Sequence, residues 1–287
     1  LKDFIIKGTI WKGENLHKLY QKAYTPWEWH EKLFSVAKNE GLVCFSSPFD
    51  KSSVDFLEKF DVPAYKIASF EITDIPFIEY VASKNKPIII STGIAEKKDI
   101  ELALNACQKM GNNNIALLKC TSSYPAPINE ANLSMIKDIS ERYNVISGLS
   151  DHTMGSLSPI VATALGAKII EKHFILNKSI GGPDSTFSID EKEFKEMVTG
   201  VRNTEKLIGS VSYNLTKKQI DGKQFSRSLY IVKDVKKGEL VSKQNIRSIR
   251  PGFGLHPKNY SEVIGKTFKY DCEKGTRLDF KLLSEKK

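Results

Sequence analysis

From residue 42 to about residue 207, short β-rich apolar runs alternate with helix-patterned segments. That alternation confines the chain to folds built on a parallel sheet with right-handed crossovers. Residues 42–45, 64–68, 87–91, 115–120, 145–148 and 167–171 read as buried strands. Residues 52–60, 97–110, 132–143 and 156–165 read as helices between them. Each expected strand runs into polar or small residues: Ser46-Ser47-Pro48, Ser69-Phe70-Glu71, Ser91-Thr92-Gly93, Thr121-Ser122-Ser123-Tyr124, Ser150-Asp151-His152 and Lys172-His173. In a (β/α)8 barrel those strand ends form the catalytic face. The competing layout is an open doubly wound sheet, but no GxGxxG follows the first strand. The expected fold class is therefore α/β, a (β/α)8 TIM-type barrel lacking its first two β/α units here. The chain opens without an initiator Met, so residues are expected to precede position 1.

The barrel pattern covers residues 1–207, and residues 208–224 read as a polar linker. From residue 225 to 287 short strands and turns follow, including Lys236-Lys237-Gly238 and Arg250-Pro251-Gly252. They suggest a second, small, β-rich domain near the lower size limit for independent folding. The chain has 287 residues, 40% hydrophobic and 27% charged, which excludes a disordered or collagen-like class. No apolar run approaches the ~18 residues of a membrane span, and no signal peptide is visible. The four cysteines, Cys44, Cys107, Cys120 and Cys272, have no metal-binding or disulfide spacing, which suits a reducing cytoplasm. The net charge of +9 raises the question of nucleic acid. The lysines are scattered, however, with no basic block among aromatics, so anionic small substrates are the expected partners.

His152 and His173 each follow a strand and stand 21 residues apart, one β/α unit. The imidazoles should therefore lie side by side at the rim, where with a carboxylate they suit a divalent transition metal. The plainer alternative is two unrelated histidines, one of them a packed core residue. Asp184 is a candidate for the same site. Asp151 either orients an imidazole or caps the next helix. Lys66, Ser69, Ser91, Thr92, Ser122 and Ser150 lie at neighbouring strand ends and could converge on a phosphate or carboxylate. Any one serine could equally cap a helix. Lys66 is more informative, because a lysine on an apolar strand is unusual unless it meets an anion.

These motifs together resemble the sialic acid synthase family. The resemblance is carried by Lys66-Ile67-Ala68-Ser69-Phe70-Glu71, Ser91-Thr92-Gly93, Ser122-Ser123-Tyr124-Pro125, Gly148-Leu149-Ser150-Asp151-His152 and Glu171-Lys172-His173-Phe174. The tail, with Lys236-Lys237-Gly238-Glu239 and Arg250-Pro251-Gly252, resembles that family's antifreeze-like (SAF) domain. Tyr24-Thr25-Pro26-Trp27-Glu28-Trp29 and Pro183-Asp184-Ser185-Thr186-Phe187-Ser188 are similar to the branch that makes pseudaminic acid. The neuraminate branch usually has His where Ser185 stands.

The resemblance implies condensation of phosphoenolpyruvate with an acetamido sugar, with C–O cleavage and release of phosphate. It implies a divalent metal, Mn2+ or Mg2+, on His152 and His173. Lys66, Ser69, Ser91, Ser122 and Ser150 would hold phosphoenolpyruvate, although the family usually has Asn at the position of Ser122. Glu71, Tyr124 and Asp184 would meet the sugar. Arg250 would reach the site of a partner subunit in a domain-swapped homodimer. The family's catalytic Glu on its first strand has no match in this chain. Related alternatives are an N-acetylneuraminate or legionaminic acid synthase, a sugar-phosphate condensing synthase, or a non-catalytic carbohydrate-binding protein on the same scaffold. Tyr24, Trp27 and Trp29 either anchor a helix or form a wall against a 6-deoxy sugar. No regular threonine array suggests ice binding.

Overall fold

The computed structural model describes residues 2–284. The chain divides into two compact units, Leu1–Gly209 and Ser210–Lys287. The first opens with helices α1 (Leu16–Ala23), α2 (His30–Asn39) and α3 (Lys51–Glu58). Strand and helix then alternate. They run β1 (Tyr65–Ile67), α4 (Ile75–Ala82), β2 (Ile88–Ser91), α5 (Lys97–Lys109) and β3 (Ile115–Cys120). Next come α6 (Met135–Tyr143), β4 (Ile146–Asp151), α7 (Leu157–Ala164), β5 (Ile169–Lys172) and α8 (Glu191–Ile208).

The five strands pair in sequence order and are all parallel. Crossovers of one hand with no reversal of order put every helix on the same face, so the sheet curls into a half-barrel. Alternation then sorts the side chains. Tyr65, Ile67, Ile88, Ile90, Ile115 and Leu117 point outward into one core with Val54, Leu57, Phe77, Ile78, Val81, Ile100 and Leu104 of the helices. Leu149 meets Ile136 and Ala162 in a second cluster, with Ile170 against it. The opposite parity, Lys66, Ser91, Cys120, Ser150 and Glu171, faces the barrel interior. Local signals start the helices: Asp50 and Ser53 form a capping box for α3, Asp74 accepts the Phe77 N–H ahead of α4, and Asp190 and Glu193 box α8.

Residues 42–45 form no strand. Only Ser46 bridges in parallel to Tyr65, and Leu42 and Val43 are exposed. Their composition is strand-like, but no second neighbour completes a ladder there. At the other edge Phe174 bridges in parallel to Ile189.

In the second unit, residues expected as plain linker carry a short helix, α9 (Lys217–Gly222), whose Thr216 and Gln219 form a capping box. Strands β6 (Ser228–Ile231) and β7 (Ile246–Ile249) pair antiparallel, and α10 (Tyr260–Val263) follows. Isolated bridges at Tyr230–Arg277, Val235–Cys272, Leu240–Thr267 and Phe268–Leu283 fold the loops around Leu229, Ile231, Val241, Ile246, Val263 and Leu278. Among the described residues no helix is long and apolar enough to cross a membrane.

Candidate active site

The curl brings β1 and β5 face to face. Lys66, on β1, is buried to 7% side-chain exposure, and its Nζ lies 3.7 Å from Glu171 Oε2 on β5. Nζ also donates to the Ile67 carbonyl at 2.9 Å. Glu171 accepts a hydrogen bond from Ser150 Oγ at 2.6 Å. Burial pushes the Lys66 ammonium below its ordinary pKa, and Glu171 pulls it partly back. A cation held in that state gains from an anion placed against it.

Around Lys66 lie polar groups of the neighbouring strand ends. The Ser69 and Ser122 hydroxyls hydrogen-bond each other. Among the described residues two buried side-chain atoms have no protein partner, Ser91 Oγ and Glu71 Oε2. Such groups are normally satisfied, so they mark where a polar ligand belongs. Burial raises the Glu71 pKa, while its own backbone N–H and Lys66 oppose that rise. Gly93 sits beneath the hydroxyls. A Cβ there would collide with Ser122 Oγ and come within 2.8 Å of Ser69 Oγ, so only glycine leaves the cluster open. Thr92 does not join it: its N–H and its hydroxyl both donate to the Leu118 carbonyl, each at 3.0 Å.

His152 and His173 immediately follow β4 and β5, and their ring centroids are 5.2 Å apart. His152 is buried and its Nδ1 faces the Thr121 carbonyl at 3.0 Å. An Nδ1–H given to a carbonyl leaves the lone pair on Nε2. Burial lowers the His152 pKa, which favours that neutral ring. His173 Nδ1 lies 3.4 Å from Asp184 Oδ2. Two imidazoles this close are of a type and spacing that could share one divalent ion. Among the described residues no group of three or more His, Cys, Asp and Glu could hold a metal ion, so oxygen ligands would have to complete the shell.

Tyr124 packs on His152 at 4.4 Å between ring centroids, and Phe187 flanks His173 at 4.9 Å. Burial raises the Tyr124 pKa to about 12. Asp151 neither touches an imidazole nor caps the next helix; it pairs with Lys172 on the outer face. Trp27 stacks on Phe56 at 4.3 Å, which is an anchoring contact. The tryptophan that does reach the site is Trp11. Its ring is 5.5 Å from Tyr124, and its Nε1–H donates to the Pro183 carbonyl at 2.9 Å, next to Asp184. Cys120 also lines the site, its Sγ 3.8 Å from both Ser122 Oγ and His152 Nδ1, and with Glu171 and Trp11 it lies outside the residues the sequence points to. Glu171 shares the inward parity of His173 and could have been found that way, whereas nothing local marks Trp11.

Arg250 belongs to the second unit, where it is exposed at the start of a fixed turn. Ser228 Oγ donates to the Pro251 carbonyl at 2.7 Å and accepts the Gly254 N–H at 2.8 Å. The Gly252 N–H donates to the Gln224 carbonyl at 3.0 Å.

Comparison with known proteins agrees with this architecture. Residues 1–213 match the model of the NeuB family, and residues 226–283 match that of the SAF domain. The chain is 48% identical over 277 residues to a pseudaminic acid synthase of Campylobacter jejuni, covering 96% of this chain and 81% of that protein. It is 39% identical over 261 residues to the N,N'-diacetyllegionaminic acid synthase of the same species, covering 90% and 78%. The crystal structure of a spore coat polysaccharide biosynthesis protein from Bacillus subtilis superimposes with a TM-score of 0.62 at 33% identity, covering 96% of this chain and 82% of that one. The chain belongs to the NeuB family and carries a SAF domain C-terminal to the half-barrel in the sequence.

Proposed function

We propose that the protein condenses phosphoenolpyruvate with a 2,4-diacetamido-trideoxy hexose to give pseudaminic acid and phosphate. The observation that carries this reading is the inward face itself. It joins a buried lysine, two buried polar atoms without protein partners, and a pair of adjacent imidazoles. The higher identity to a pseudaminic acid synthase than to a legionaminic acid synthase supports the choice of sugar.

In the reaction the methylene carbon of phosphoenolpyruvate adds to the aldehyde carbon, whose oxygen takes a proton. Water adds to the former enol carbon, and phosphate leaves as its C–O bond breaks. Lys66, with Ser69, Ser91, Ser122 and Ser150, holds the anionic groups of phosphoenolpyruvate by charge-assisted and hydroxyl contacts. Glu171 positions Lys66 and Ser150. Glu71, Tyr124 and Asp184 meet the sugar, and the raised pKa of Glu71 suits it to hold a proton near the reacting carbonyl. His152 and His173 would hold a divalent cation, Mn2+ or Mg2+, which when bound polarises the aldehyde as a Lewis acid. Arg250, exposed on its fixed turn, acts on the acetamido group in the site of a partner subunit, so the working unit is a homodimer. Phosphoenolpyruvate is a cytoplasmic metabolite, and the enzyme is placed in that compartment.

The test is phosphate release from phosphoenolpyruvate, manganese and a panel of acetamido sugars. Rapid release with the 2,4-diacetamido-trideoxy hexose and little with N-acetylmannosamine is expected, and chelation should abolish it. Release confined to N-acetylmannosamine would overturn the choice of sugar, and no release with any sugar would overturn the reaction.

A further inference from the structure

Behind the two histidines lies a second constellation that the proposed chemistry does not use. Asp151 and Lys172 each precede a histidine by one residue. Strand alternation therefore turns the imidazoles inward and this pair outward, to the side where Leu149 and Ile170 pack against helix residues. Asp151 and Lys172 are register partners across β4 and β5. Lys172 Nζ lies 2.5 Å from Asp151 Oδ2, and each side chain is 1% exposed. The same ammonium donates to the Thr153 carbonyl. The Thr153 N–H in turn donates to Asp151 Oδ1 at 2.9 Å. Both chain neighbours of His152 are thus tied, through one ammonium, to the residue that precedes His173.

Stability explains this arrangement poorly. Taking two charges out of water costs about as much as their attraction returns, and apolar pairs of similar volume are often as stable or more so. An apolar pair cannot, however, fix direction. Three charge-assisted or backbone hydrogen bonds hold the main chain on either side of His152, and hold it against β5.

We propose that Asp151, Thr153 and Lys172 form a clamp that sets the spacing of His152 and His173 for a divalent cation. They are positioning residues and touch no substrate. The inference rests on the metal reading above.

The experiment measures binding of manganese ion alone to the intact protein, by electron paramagnetic resonance or calorimetry, beside its thermal unfolding. In the double variant Asp151→Leu/Lys172→Met the unfolding temperature should stay near that of the wild type. The manganese dissociation constant should rise about 10–100-fold, as for other groups that orient metal-binding histidines. A purely structural role would move the unfolding temperature and leave the affinity alone. A folded double variant that binds manganese as tightly as the wild type overturns the clamp. If that variant fails to fold, Asp151→Asn decides. It keeps the volume and the acceptor for Thr153 but removes the charge that grips Lys172. Several-fold weaker binding is expected, and unchanged affinity overturns the proposal. Wild-type protein that binds no manganese overturns the metal reading itself, so the two failures are distinct.

Discussion

On the inner face of β4 and β5, His152, Glu171 and His173 turn polar groups toward the barrel interior. On the outer face, one residue away, Asp151 and Lys172 spend theirs on each other and on Thr153. Both faces carry ionisable side chains on the same backbone. The outer groups are closed on themselves and dry. The site also holds a hydroxyl and a carboxylate oxygen, Ser91 Oγ and Glu71 Oε2, that have no protein partner. The difference separates two uses of polar residues: one fixes the frame, and the other waits for a ligand. Removing one outer group, which strands its buried partner, should therefore cost stability first, and replacing an inner group should cost ligand binding first.

The largest expected effect is on the outer face. Lys172→Met alone leaves Asp151 charged, buried and unpaired, and breaking a buried pair in this way costs about 3–5 kcal/mol of stability. Chemical unfolding of the variant beside the wild type measures it. A loss below about 1 kcal/mol, the range of surface pairs, would break the contrast between the faces.

Next is Lys66→Ala on the inner face. A hydrogen bond to a charged group is worth roughly 1.5–3 kcal/mol, so the phosphoenolpyruvate requirement should rise ~10–150-fold. The sugar requirement should change less. Removing an ammonium that burial disfavours should leave the unfolding midpoint almost unmoved. Equal rises for both substrates, together with a large loss of stability, would place Lys66 with the outer residues.

How much of this was legible in the sequence depends on the range of the signal. The alternation of strands and helices, the polar strand ends and the 21-residue spacing of the histidines are local or nearly so, and they led to the half-barrel and to the paired imidazoles. The strand expected at residues 42–45 rested on composition, which cannot report that a segment lies at a sheet edge with one neighbour. Glu171 stood in plain view beside Lys172, but its role comes from curvature that brings β5 round to β1, a contact across 105 residues. Trp11 meets Tyr124 only through the tertiary fold. Asp151 reads as either a direct partner of an imidazole or a helix cap, because the sequence shows its neighbours in the chain but not the lysine in register across the strand.

The smallest expected effect concerns Glu71, and it sharpens the contrast through its sign. Burial raises the Glu71 pKa above that of an ordinary glutamate, despite the nearby Lys66. The folded state therefore binds this proton more tightly than the unfolded chain does. Below the ordinary glutamate pKa both states are protonated, and the side chain costs nothing. As pH rises from that value through the raised folded value, the unfolded chain ionises first and stability falls. Above the folded value the penalty is constant. Glu71→Gln copies the protonated form at every pH. The variant should match the wild type in acid, gain on it through that window and remain slightly more stable at neutral pH, while losing activity. Unfolding midpoints measured from pH 4 to pH 8 test this. A variant less stable than the wild type at neutral pH would mean that the charged carboxylate is satisfied by the protein, as Asp151 is, and not held for a ligand.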